Sequence, residues 1–322
     1  MLTEKLNNEL INSMKANVPN GTNLASLLME ILFIGKEAVY RRLRGEVPFT
    51  LSEAALISRK LGISIAQLMG KSFNGNALFA LNIINHAEPY QSYHSLLSGW
   101  NSALMKIADD KYSEMSESSN LLPNFFSMKY SVITKFLLFR WMYQLDLINC
   151  TDKDCFDNMK VPDNLVEIQE ELSGNIQKIK KTCFIWDKMM VTFFINDINY
   201  FKSINLFSDE NLESIRGELM LLLDELEDIS ARGTYRNGNS VEVYISNINF
   251  ETSYSYYSSD SMNLCMMRTF GINTITTQDI ETFNYVKNWI NSLKKFSTMI
   301  SQSGEMQRIQ FFGSQRELVK RL

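Results

Sequence analysis

The sequence predicts a mainly α fold: a small N-terminal domain of five helices, then a larger helical body carrying a small antiparallel β-sheet near residues 240–270. Three observations lead there. Apolar residues recur at three- and four-residue spacing through most of the 322 positions, and only 5 prolines interrupt them. The one region that changes to strand-like runs of Tyr, Val, Ile and Thr follows a turn signal at Asn237-Gly238-Asn239. A hydrophobic share of 45%, with 17 Met, 20 Phe and 13 Tyr, supplies a large and adaptable core.

Taken in order, Leu6, Leu10, Ile11 and Met14 trace a first helix that stops at Val18-Pro19-Asn20-Gly21. Leu24, Leu27, Leu28, Ile31 and Leu32 trace a second, broken at Phe33-Ile34-Gly35. A third, Lys36 to Arg44, ends at Gly45, the residue type best suited to a left-handed helix cap. Its Val39 and Leu43, four apart, point inward, while Lys36, Glu37, Tyr40, Arg41 and Arg44 share the other side. A fourth helix, Leu51 to Leu61, has Thr50 or Ser52 as its cap and Gly62 as its stop; Ile63 to Met69 makes a short fifth.

Phe73-Asn74-Gly75-Asn76 reads as a joint, which gives domains 1–72 and 73–322, with a further division of the body open near 232–240. Body helices are expected over Leu78–Ile84, Tyr90–Ala108, Phe125–Leu147 as the buried centre, Pro162 to about Phe207, Ser208–Ala231 and Asp279–Met299. The runs VEVYISNIN, FETSYSYYSS and MNLCMMRTF predict a three-stranded antiparallel sheet, and Arg316 to Leu322 closes the chain with a basic segment.

The formal net charge is −4, but it is unevenly spread. Residues 1–72 hold nine bases against six acids, and the remainder holds 23 bases against 30 acids. A basic head on an acidic body is the charge distribution of a nucleic-acid reader with a protein- or ligand-facing body. The start is amphipathic and polar, and no apolar run of about eighteen residues occurs, so a cytoplasmic protein without membrane attachment is expected.

Chemistry-bearing patterns are sparse. Cys150, Cys155, Cys183 and Cys265 lack the spacing of a zinc cage or a disulfide framework and read as free buried thiols. His86 and His94 sit in no ligand or nucleophile motif, no glycine loop cradles phosphate, and Asp224 to Asp228 fans around a helix as a solvated face. Neither an enzyme nor a cofactor is indicated, and no constellation names a ligand.

The head is more specific. Two helices, a tight turn, a basic helix ending in Arg-Gly and then EAALISRKLGISIAQLM resemble the Cro and phage-repressor (xenobiotic-response-element) type of helix-turn-helix domain, over roughly residues 5 to 70. Phe33 stands where that family usually has the turn glycine, and Gly35 where a Ser or Thr usually caps the reading helix. The resemblance implies that Lys36, Glu37, Tyr40 and Arg41 face base edges in the major groove, with Arg41 suited to paired hydrogen bonds on guanine, and that Arg44 and Arg42 hold phosphate. It further implies a sequence-specific transcriptional regulator that binds double-stranded DNA as a homodimer. The body would then serve oligomerisation or sensing of a small-molecule or protein effector. The competing expectation is a protein-interaction module that uses the same head without DNA.

Overall fold

The computed structural model describes residues 2–18, 21–63, 65 and 77–322, the side chains of Leu2, Thr3, Lys5 and Ala16 excepted. The chain divides into two compact units, Met1–Leu78 and Phe79–Leu322. No helix among the described residues is long and apolar enough to cross a membrane.

The smaller unit contains α1 (Leu2–Asn17), α2 (Leu24–Leu32), α3 (Lys36–Leu43) and α4 (Leu51–Leu61). The expected fifth helix, Ile63–Met69, and the joint at Phe73–Asn76 lie almost wholly outside the described residues. Leu10, Ile11 and Met14 of α1 meet Ala25, Leu28, Val39, Ile57 and Ile63 in one apolar cluster. Each helix contributes one stripe, as its three- and four-residue spacing dictates. Asn7 fastens α1 to the segment before α4, its buried side-chain oxygen accepting the Phe49 backbone N–H at 3.0 Å.

The larger unit departs from the expected fold. Instead of an all-helical body with a small antiparallel sheet, it holds one mixed sheet of eight strands, in the order β1-β7-β6-β5-β2-β3-β4-β8. The strands are β1 (Ala80–Asn82), β2 (Glu114–Ser119), β3 (Lys181–Trp186), β4 (Ser240–Ser246), β5 (Tyr254–Ser258), β6 (Asn263–Thr269), β7 (Asn273–Thr277) and β8 (Ser297–Met299). β2, β3 and β4 run parallel, with Glu117 opposite Phe184 and Phe184 opposite Val243. The three runs after residue 240 do form strands. However, β4 pairs with β3 and β8, and only β5 and β6 make the expected antiparallel neighbours.

Parallel neighbours need long crossovers, and here these are helical. Between β2 and β3 lie α6 (Asn124–Ser127), α7 (Ser131–Gln144), α8 (Asp154–Asn158) and α9 (Asp163–Asn175); between β3 and β4 lie α10 (Thr192–Ser203) and α11 (Asp209–Arg232). The expected single helix Phe125–Leu147 is thus two, broken at Met128–Tyr130. The first amides of α7, Val132 and Ile133, donate at 2.8 and 2.9 Å to one carboxylate oxygen of Glu218 on α11. A carboxylate there satisfies orphan N–H groups and complements the helix dipole. The expected helix over Leu78–Ile84 is replaced by β1, and the one over Asp279–Met299 ends early, as α12 (Ile280–Leu293) followed by β8.

The two faces of the sheet bury different clusters. Met115, Phe184, Trp186, Val243, Ile245, Tyr257 and Met266 face the main core with α5 (Pro89–Ala108), α7 and α11. Cys183, Ile185, Tyr256 and Cys265 face Phe283, Val286, Ile290 and Leu293 of α12. The acidic run on α11 is not merely solvated. Asp224 and Glu227 hold Arg316 of α13 (Glu305–Lys320) at 2.7 and 2.6 Å, and Glu225 takes Lys129 at 2.6 Å. Cys150 and Cys155, expected as free thiols, form a disulfide across 5.5 Å between Cα atoms; Cys183 and Cys265 are free and buried.

The central strand β2, EMSESS, is buried from its second residue onward, and it places Glu117 in the main core, 6% exposed. Burial raises this carboxyl to about 7, with Arg268 and Ser119 opposing the rise. The fold therefore holds Glu117 neutral over a range in which the unfolded chain ionises it. Its contribution is fully present below the unfolded value near 4.5 and is lost as pH rises through about 7. Urea unfolding of the larger unit is expected to show about 3 kcal/mol less stability at pH 8 than at pH 4.5 from this group, and Glu117→Gln removes that part of the slope.

Candidate nucleic-acid interface

The turn between α2 and α3 comprises Phe33, Ile34 and Gly35. Phe33 takes the left-handed conformation, φ 54 and ψ 39, and its N–H returns to the Met29 carbonyl at 3.0 Å, closing α2. Glycine usually fills such a position because it has no Cβ to clash. Gly35 is the N-cap of α3 in extended conformation, and no side chain caps that end. At the other end Gly45, φ 77, turns the chain so that the N–H of Glu46 reaches the Arg41 carbonyl at 3.0 Å. This fold-back sets Glu46 against the last turn of α3.

Of the six sequence-predicted residues, five share one exposed side. Lys36, Glu37, Tyr40, Arg41 and Arg44 are exposed, while Val39 is fully buried. The ammonium of Lys36 lies 6.0 Å from the centre of the Tyr40 ring. Arg44 contacts Glu46 at 2.6 Å and Glu37 at 3.4 Å, and Arg41 reaches Glu46 at 3.5 Å. The Arg44 guanidinium holds the Glu46 carboxyl below the usual carboxylate range. The outward face therefore carries three cations partly engaged by two acids, and one of those acids, Glu46, had no role in the sequence reading.

Arg42 is the exception. It points into the unit and grips Glu53 of α4 with two nitrogens, Nε to Oε2 at 3.1 Å and Nη2 to Oε1 at 2.8 Å. The two side chains are 17% and 16% exposed. Arg42 also donates to the Ala38 carbonyl at 3.3 Å. Glu53 is at the same time the N3 member of a capping box on α4. Thr50 Oγ1 accepts its N–H at 3.2 Å, and its carboxylate accepts the Thr50 N–H at 2.8 Å. Burial pushes the Glu53 carboxyl up, but the Thr50 N–H and Arg42 outweigh it and leave the group below its ordinary range.

No known protein family, curated protein or solved structure matches the chain. The residues themselves carry what can be said of function. Sequence reasoning also passed over a shallow groove lined by Glu30, Ile31, Phe33, Leu56, Arg59 and Lys60. Phe33 is 92% exposed there, and Leu56 is half exposed. The signal was available in the sequence, since Phe at a turn-glycine position is unusual.

The Arg42–Glu53 contact ties α3 to α4 while capping α4. Glu53→Ala is expected to destabilise the smaller unit by about 2 kcal/mol, because it removes a cap and leaves Arg42 unpaired in a half-buried site. Denaturant unfolding of the full chain, followed through the amide signals of residues 24–61, measures this.

Proposed function

We propose that the smaller unit binds duplex DNA by laying α3 in the major groove, and that the protein is a sequence-specific regulator of transcription. The observation that carries this reading is the division of labour on α3. Val39 and Arg42 hold the inside, while Lys36, Glu37, Tyr40 and Arg41 present a polar, hydrogen-bonding face together with Arg44. Donors and acceptors on an exposed helix face are what base-edge readout requires, and a cation at the helix end suits a phosphate. Arg41 is the residue best suited to a guanine edge, and Arg44 to the backbone. Two copies would read half-sites about one helical turn apart, the larger unit serving association or effector sensing.

Glu46 gives this reading a sharp consequence. It contacts the guanidinium groups of both Arg41 and Arg44, so a base edge on the first and a phosphate on the second must displace it. Exposed pairs are weak, and the displacement is inexpensive.

A second reading has its own observation. The exposed Phe33 and Leu56, flanked by Arg59 and Lys60, form an apolar strip with a basic rim, which suits docking of an acidic amphipathic segment of a partner protein.

Selection from a pool of random duplexes at two salt concentrations tests the first reading. The expected outcome is enrichment of one motif, steep weakening with salt and loss of binding in the Arg41→Ala, Arg44→Ala variant. Glu46→Gln is expected to tighten binding roughly two- to fivefold. Absence of salt-sensitive binding in the unmodified chain contradicts the reading and leaves the docking strip as the function of the unit.

A further inference from the structure

The larger unit contains a cleft between α5 and α6 on one side and β2, β5 and β6 on the other. Its two ends differ in chemistry. One is apolar, walled by Trp100, Leu104, Ile107, Leu172 and Leu264. The other is polar, lined by Glu117, Ser253, Ser255 and Arg268. Trp100, Phe125, Tyr257 and Met266 line both ends. Their empty spaces are about 280 Å³ and 320 Å³, open mouths included.

Strand register explains why the polar groups converge. Glu117 lies opposite Ser255, and Ser255 opposite Met266, in one cross-strand row. In the next row the Ser119 and Ser253 hydroxyls meet at 3.1 Å, and the Ser253 carbonyl accepts the Arg268 N–H at 3.4 Å. Paired residues in adjacent strands project to the same face. Glu117 and Arg268 are thus on one face, two strands apart and one row offset, roughly 10–12 Å between Cα atoms.

The convergence leaves the Arg268 guanidinium and the Tyr257 hydroxyl short of partners, and Glu117 with the Ser119 hydroxyl as its neighbour. Among the described residues the Arg268 guanidinium makes no hydrogen bond or ion pair, although Glu117 and Tyr93 lie within reach of its charge. Glu117 likewise makes no ion pair. The Tyr257 hydroxyl is buried without a hydrogen bond, beside Ser255 but not in bonding geometry to it. Glu117 and Tyr257 are buried and Arg268 is partly buried; buried polar groups in folded proteins are almost always paired, and an acid and a base held apart in one cleft call for something that bridges them.

We propose that this cleft binds an α-amino acid with an apolar side chain, its carboxylate on Arg268 and Tyr257, its ammonium on Glu117, and its side chain between Trp100 and Leu104. A planar guanidinium fork matches a carboxylate, and the hydroxyl of Tyr257 supplies a further donor. A ligand ammonium beside Glu117 favours its ionised form, so a zwitterion pairs both groups, whereas a lone carboxylate on Arg268 leaves Glu117 protonated and without a partner and a lone ammonium on Glu117 leaves Arg268 without one. The enclosed part of each end now admits about one water, so the ligand displaces Met266 as it enters. Methionine, unbranched and with several rotatable bonds, is the side chain suited to that movement.

The proposal does not rest on DNA binding and is tested without DNA. The full-length protein is mixed with leucine, isoleucine or phenylalanine, and separately with the single-charge analogues 4-methylpentanoate, 3-phenylpropionate, isoamylamine and phenethylamine. At least one amino acid is expected to raise the melting temperature by roughly 3 °C at saturation, with one-to-one binding by calorimetry. The analogues are expected to bind at least tenfold more weakly. Arg268→Gln, Glu117→Gln and Trp100→Ala each weaken binding at least tenfold, the last while leaving both charges in place. Tyr285→Ser, on the exposed side of α12, binds as the unmodified chain does. Circular dichroism of every variant without ligand confirms that it is folded. The proposal is overturned if none of the three amino acids binds the unmodified protein. It is overturned equally if a single-charge analogue binds as tightly as its amino acid, or if folded cleft variants keep full affinity.

Discussion

Which residues α3 shows to its surroundings depends on the clasp between Arg42 and Glu53. A helix of eight residues has little stability of its own and takes its orientation from what it packs against. On the inner side Val39 supplies apolar contact, but apolar contact is not directional. The two parallel contacts from Arg42 to Glu53 are, and Glu53 is itself fixed by the Thr50 cap of α4. With that geometry set, the remaining cations of α3 turn outward. Glu37 and Glu46 then temper the exposed charge.

In the larger unit the corresponding constraint is a polar strand at the centre of the sheet. β2 is covered on both faces, yet it offers Ser116, Glu117, Ser118 and Ser119 to the interior. The backbone of such a strand is satisfied by its neighbours β3 and β5, so the cost falls on the side chains. Some are bonded, as Ser119 is to Ser253 and to the Leu121 carbonyl. Glu117 has the Ser119 hydroxyl beside it but makes no ion pair, and it shares its cleft with Arg268 and Tyr257. Polar groups left short of partners in a core call for an explanation, and a bound ligand that pairs them is one.

The head was legible because its helices are short, amphipathic and separated by strong stop signals. Val39 and Leu43 identify the inner face of α3 from spacing alone, and Gly45 and Gly62 mark the ends. The inward turn of Arg42 was not legible, since its partner lies eleven residues away on another helix. Thr50 and Glu53, three apart, did carry a capping-box signal that points to Glu53 as a structural acid. The sheet was mostly illegible for physical reasons. Buried on both faces, β3 shows no alternation, and its KTCFIW reads as part of the surrounding apolar helices. The residues of β2 have low β propensity and form a strand only because tertiary pairing overrides it. β1 and β8 have three residues each, too few for any periodic signal.

The central claim is that the outward face of α3 is the surface that meets DNA. Hydrogen exchange of the full-length protein, with and without a mixed-sequence duplex at low salt, addresses it without knowledge of the preferred sequence. The account predicts slower exchange on duplex addition in peptides spanning residues 33–47, where α3 and its flanking turns lie. Unchanged exchange over that span, with protection elsewhere or nowhere, would contradict it.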